Sequence, residues 1–217
     1  MWYAKPSGAY AMESNEGKEN IIEAWQVCQA LGFSKESFCG MMGNAYAESG
    51  WNPWRWQNDK YNVSNGYGLF QYTPASGYLN DYGKIYTEFA PNLSTTSVTT
   101  GADARDGIAQ LKAVENSGKY FGNETRTARI IGYYADCANY QTLSSFKTIN
   151  NIGGATVCWL GYFESPATIN DNVVNNRISY ANKVKDIIGA ITPTPTPTPT
   201  DVNFIILAKG VKRRKKW

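Results

Sequence analysis

Apolar residues first recur at helical spacing between positions 21 and 31, where Ile21, Ile22, Trp25, Cys28 and Leu31 fall three and four apart. That spacing predicts one buried face of a helix, capped by Ser14 or Asn15, running to about Leu31 and stopped by Gly32. Ser34 caps a second predicted helix, in which Phe38, Met41, Met42 and Ala45 turn inward. Gly43 and Ala47 on it are small enough to let another element come close, and Gly50 and Pro53 end it. From Trp51 to Tyr72 the helical period is lost. Trp51, Trp54, Trp56, Tyr61, Tyr67 and Tyr72 alternate irregularly with Asn, Gly and Ser, and Ser64-Asn65-Gly66 is a turn signal. A short irregular β-hairpin is expected there. Thr73–Ser76 starts a helical turn, and 77–100 reads as a polar loop with a short helix. Helical patterns return at about 102–117 (Ile108, Leu111 and Val114 on one face), 124–138, 142–149, 154–164 and 172–190. In the last, Val173, Val174, Arg177, Tyr180, Ala181, Val184 and Ile188 form a mostly apolar stripe. The fold class expected is α+β, mainly helical, with one small hairpin beside the second helix.

After Ile191 the pattern stops. Thr192–Thr200 is a strict Thr-Pro alternation, expected to be a stiff extended spacer of about 3 Å per residue. Residues 201–217 hold an apolar patch, Phe204–Leu207, and then six Lys and Arg within Lys209–Lys216. So short a piece cannot bury a core of its own. The division expected is a catalytic domain at 1–191, a linker at 192–200 and a basic tail at 201–217 suited to contact with an anionic wall or membrane surface. With those cations removed from a net charge of +3, the body of the chain is near neutral or slightly acidic, which argues against a nucleic-acid groove. No apolar run approaches the roughly 20 residues of a membrane helix. Met1–Pro6 lacks a charged n-region followed by an apolar stretch, so no secretory signal is expected.

Composition then narrows the chemistry. The 217 residues contain no histidine. Ser-His-Asp and Cys-His hydrolysis both need an imidazole base, and zinc hydrolases usually need His ligands. The four cysteines, Cys28, Cys39, Cys137 and Cys158, show no C-x-x-C spacing, so neither a metal site nor a cofactor is expected. They read as buried thiols or as one or two disulfides. A hydrolase of this composition works through carboxylates. Glu48 stands at the end of the second helix, where the helix dipole is negative and an apolar, aromatic segment follows. Burial and negative surroundings favour the protonated form of a carboxyl, which suits a general acid. Asp59 is the other acid between Glu48 and Gln71 and is the candidate base, although Asn58-Asp59-Lys60 also reads as a plain surface turn. Glu164, in Glu-Ser-Pro at a helix end, reads chiefly as a structural partner for Arg177. Fifteen Tyr and seven Trp supply flat faces with polar tips, suited to sugars or to the core.

Glu48-Ser49-Gly50 followed by Gly66-Tyr67-Gly68-Leu69-Phe70-Gln71 resembles the E-S … G-L-x-Q pair of goose-type lysozymes and lytic transglycosylases. The longer string from Gly43-Asn44 through Trp51-Asn52-Pro53, with Leu69–Pro74, is similar to the phage tail lysozyme family. Trp159–Pro166 and Arg177–Ala181 resemble that family's C-terminal Y-x-E-x-P and R-x-x-x-A segments. The resemblance covers roughly residues 8–188. It implies a lysozyme-like fold, a phage endolysin or tail-associated lysin, and a muramidase cutting the β-1,4 bond between N-acetylmuramic acid and N-acetylglucosamine of bacterial peptidoglycan. Such a protein would sit in the virion, or in the host cytoplasm before release. The resemblance carries the general-acid role onto Glu48 and places Gly68, Leu69, Phe70 and Gln71 on the cleft floor, with Gln71 bonding a sugar or ordering a water. Trp51, Trp54, Trp56, Tyr67 and Tyr72 are candidate sugar platforms, at least half of them expected in the core. If Asp59 lies far from Glu48, transglycosylation through the sugar's own 6-hydroxyl becomes the competing reaction. A silent wall-binding module and a chitinase-like glycosidase are the other readings.

Overall fold

A computed structural model describes residues 2–6, 8–81 and 101–191. The Thr-Pro spacer, the basic tail and most of the polar 77–100 segment lie outside the described residues. Within them the chain forms α1 (Asn15–Ala30), α2 (Lys35–Ser49), α3 (Ala75–Asp81), α4 (Gly101–Ala113), α5 (Glu124–Ile130), α6 (Leu143–Phe146), α7 (Ile152–Trp159) and α8 (Asp171–Gly189). The first two start where the caps predict. Ser14 Oγ accepts from Gly17 N at 3.1 Å, and Ser34 Oγ accepts from Ser37 N at 3.0 Å. Several later helices are shorter than their apolar spacing predicts, whereas α8 runs the full length expected of it. Helix α4 tightens into a 3₁₀ segment at Val114–Tyr120, and the 124–138 pattern splits into α5 and a 3₁₀ turn at Ala135–Asn139.

Helix α2 is the centre of the molecule. Ser37 to Ala45 is buried without interruption, so the helix runs through the core instead of presenting one inward stripe. Its most extensive contacts are with α8 and α7. Two glycines make this possible. A Cβ on Gly43 would lie 2.6 Å from the Ala181 nitrogen of α8, and one on Gly40 would lie 2.6 Å from the Ala155 carbonyl carbon and Thr156 nitrogen of α7. Gly43 thus does what its size predicts. Ala47 does not, because it is exposed. The N-terminal segment is also built in: Trp2 and Tyr10 are buried, and the buried side chains of Asn20 and Asn52 bond the main chain at Tyr3, Lys5 and Gly8.

The predicted β-hairpin does not form as strands. It reduces to two isolated antiparallel bridges, Trp56 with Tyr67 and Tyr67 with Tyr72, and the described residues contain no strand. The reason is local. Asn58, Asp59, Gly68 and Gln71 all take left-handed backbone angles (φ 58°, 54°, 79° and 46°), each of which breaks a strand's alternation. Side chains then take ladder bonds: Gln57 Oε1 accepts from Gly66 N at 2.9 Å, and Gln71 Nε2 donates to Gly68 O at 3.0 Å. The fold is therefore helical with an irregular loop where the hairpin was expected.

Cys137 and Cys158 form a disulfide that ties the 3₁₀ turn at Ala135–Asn139 to α7, while Cys28 and Cys39 are buried thiols. Burial pushes the Cys39 thiol up to about 12 and that of Cys28 up as well, so neither offers a thiolate near neutral pH. Closing a loop of this size contributes about 3 kcal/mol. A Cys137→Ser/Cys158→Ser variant, or reduction of the native protein, is expected to lower the unfolding free energy by about 2–4 kcal/mol. Denaturant titration with and without reductant checks this, and coincident curves would contradict it.

Candidate active site

Glu48 occupies the last turn of α2, which ends at Gly50 in the left-handed conformation (φ 58°, ψ 38°). Gly50 N closes the helix on Tyr46 O at 2.8 Å. Ser49 turns inward, donating from Oγ to Ala45 O and Leu69 O, both at 3.0 Å, and so fastens the helix end to the Gly68–Phe70 loop. Glu48 is left facing a cleft. One turn earlier, buried Asn44 donates to Gly40 O (2.8 Å) and Thr156 O (3.0 Å), and its Oδ1 accepts from Arg177 Nη1 at 3.1 Å. Arg177 then donates from Nη2 to Glu48 Oε1 at 2.6 Å. The side chains of this ion pair are 10% and 24% exposed for Arg177 and Glu48, respectively. The partner of Arg177 is therefore Glu48, not Glu164 as the helix-end position suggests.

Glu164 faces the same cleft. Helix α7 does not stop at Trp159 but continues into a π-helical turn, Leu160–Glu164, after which Ser165 takes a left-handed angle (φ 43°) uncommon for a residue with a Cβ. Two arginines of α5 hold this turn. Arg126 donates to Tyr162 O, and Arg129 donates to Pro166 O and to Ser165 Oγ (3.1 Å). Glu164 Oε1 accepts from Trp159 Nε1 at 3.0 Å. Burial first, and the negative charge of Glu48 second, hold the Glu164 carboxyl well above the ordinary glutamate value, against the opposing pull of Arg177 and the Trp159 bond.

The hollow lined by both glutamates has a volume of about 410 Å³ and is walled also by Arg55, Gln57, Asn58 and Gln71. It adjoins a second hollow of about 250 Å³ through shared Gln71, Thr73 and Glu164, which runs past Phe70, Tyr72, Tyr120, Arg126 and Phe163. A third, of about 300 Å³, continues from Tyr72, Tyr120 and Phe163 to Tyr78 and Lys119. Together they make a groove with carboxyls at one end and half-buried rings along it. Half-buried Phe163 lies stacked on buried Trp159 (centroids 4.3 Å, planes 16° apart), which fixes the orientation of its ring beside the groove.

The candidate residues separate sharply. Glu48, Gln71, Phe70 and Tyr72 line the groove, Phe70 only as its floor at 2% exposure. Trp51, Trp54, Trp56 and Tyr67 are core residues at 0% exposure and present no face to a sugar. Trp51 Nε1 donates to Met42 O at 2.8 Å, and the Tyr67 hydroxyl donates to buried Asp106 at 2.9 Å. Asp59 does not line the cavity. Its carboxylate accepts from Gly8 N at 2.8 Å and pairs with Arg55 Nε at 3.0 Å, so it steadies a wall residue. The sequence pattern does not mark Phe163, which reads as core because it is a helical aromatic among other aromatics, or Tyr120, which falls between two predicted helices.

An arginine-anchored glutamate at a helix end, a second carboxyl lining the same hollow and an aromatic groove fit carbohydrate chemistry. The family model for phage tail lysozyme matches residues 19–188, and the chain belongs to that family. It is also 46% identical over 67 residues to Morphogenesis protein 1 of Bacillus phage B103, a match spanning 29% of this chain and 18% of that relative.

Proposed function

We propose that the protein cuts the glycan strands of bacterial peptidoglycan as a muramidase, hydrolysing the β-1,4 bond between N-acetylmuramic acid and N-acetylglucosamine, in the setting of a phage endolysin or tail-associated lysin. The observation that carries this reading is Glu48, held by Arg177 at 2.6 Å at the head of an aromatic groove, in a chain of the phage tail lysozyme family. Glu48 supplies the proton that the leaving sugar oxygen needs as the bond breaks. Gln71, fixed in its left-handed angle with Nε2 bonded to Gly68 O, borders the same hollow and positions a sugar or the attacking water. Tyr72, Tyr120 and Phe163 give the flanking sugars flat surfaces.

Digestion of purified cell walls followed by mass spectrometry of the fragments tests the reading. New reducing-end muramic acid is the expected product. A 1,6-anhydro end instead means transglycosylation, to which the placement of Asp59 away from the cavity lends weight. Wall binding with no new ends means a non-catalytic module and overturns the proposal.

A further inference from the structure

An acid paired with an arginine needs a reason to have a proton to give, and the groove contains one. Two carboxyls, Glu48 and Glu164, and one guanidinium, Arg177, share a partly buried site. With both carboxyls ionised the trio carries a net negative charge, which burial disfavours. With one proton it is neutral. Of the other cations nearby, Arg126 and Arg129 donate to main-chain oxygens of the π turn and its exit, and Arg55, which walls the same hollow, is already paired with Asp59. Trp159 Nε1 is a donor only, so its bond to Glu164 steadies the carboxyl without accepting a proton from it.

We infer that Glu164 is a positioning residue that keeps one proton in the Glu48–Glu164 pair, ready for transfer by Glu48. The inference rests on the glycan-cleaving reading above. In the resting site Glu48 is the member paired with Arg177, while burial and the neighbouring Glu48 charge disfavour a second anion on Glu164. In the reactive form the two exchange roles: Glu164 becomes the anion balancing Arg177 and Glu48 carries the proton. That proton passes to the glycosidic oxygen as the bond from the anomeric carbon to that oxygen breaks. Water adds its hydroxyl to the anomeric carbon, and its remaining proton returns to the pair.

The test is the pH profile of glycan cleavage by Glu164→Gln, scored by fragment release from purified walls beside the wild type. The amide oxygen can still accept from Trp159 Nε1, so the local structure is kept. Without Glu164, protonating Glu48 leaves Arg177 unbalanced. The alkaline limb of the profile is therefore expected to move about one pH unit or more towards acid, with roughly tenfold lower activity at pH 7 and recovery at lower pH. Trp159→Phe, which removes a bond favouring ionised Glu164, is expected to move the limb the other way. An unmoved limb in both variants makes Glu164 merely structural and overturns the inference. Loss of activity at every pH in folded Glu164→Gln also overturns it, by making Glu164 itself the donor. Failure of the wild type to release glycan fragments refutes the proposed function instead, so the two failures are distinguishable.

Discussion

Replacement of Glu48 by glutamine is expected to lower wall lysis by about 10²–10⁴-fold, the range a positioned acid contributes. The substitution keeps shape and one acceptor while removing the transferable proton. Its amide oxygen can still accept from Arg177 Nη2, which now stands at 2.6 Å from Glu48 Oε1. The ion pair is lost, but the Glu48 side chain is 24% exposed and its charge is partly screened, so the expected cost is about 1 kcal/mol. The variant should fold with a melting curve close to that of the wild type, which separates a chemical effect from a structural one. Turbidity loss of a wall suspension is the readout. A folded Glu48→Gln protein that clears walls at near the wild-type rate sinks the assignment. Asp59→Asn provides the contrast: an acceptor for Gly8 N and Arg55 remains, and the expected loss is a small fraction of that at Glu48.

The helical frame was legible because its signals are local. Ser14 and Ser34 cap, Gly50 stops, and Ile21, Ile22, Trp25, Cys28 and Leu31 recur at helical spacing, of which Ile21 and Cys28 are fully buried and the other three half-buried. Glu48 was legible for the same reason, as an acid beside a helix stop. What escaped depends on where a side chain goes after an irregular backbone. Left-handed angles at Asn58, Asp59 and Gln71 redirect the segment read as a hairpin, and no alternation of residue types announces them. Trp51 and Trp54 look like Phe163 to a pattern of apolar positions, yet the first two fill the core and the third lines the groove. Arg177 had two glutamates to choose from, and the choice was made 133 positions away by Asn44, which seats the guanidinium, and by its neighbour Gly43, which lets α8 approach. The helix-end position of Glu164 was visible, but the π turn that aims it was not.

The closeness of α2 to its neighbours leads to the largest expected effect on the fold. Ala at position 43 would place a Cβ 2.6 Å from the nitrogen of Ala181 and 2.8 Å from its Cα, where 3.4 Å is ordinary contact. The obstacle is backbone, which cannot rotate away, so α8 must shift. Such overpacking costs up to about 3 kcal/mol. Exchanging glycine for alanine inside a helix returns about 1 kcal/mol. The net loss expected for Gly43→Ala is about 2 kcal/mol, or roughly 4–8 °C in melting temperature for a domain of this size. Gly40→Ala should act in the same way on α7, because Ala155 and Thr156 stand 2.6 Å from its Cβ. Activity should fall with stability, since α8 carries Arg177 one turn from Ala181 and α7 leads into the turn that holds Glu164. Gly77→Ala, at an exposed position of α3 with nothing within 4 Å of the new Cβ, is the opposite case and should stabilise by about 0.5–1 kcal/mol. Thermal melts of the three variants settle the sign. A Gly43→Ala protein that melts at or above the wild type would mean that α2 and α8 can separate freely, and the close approach would not be what holds Arg177 against Glu48.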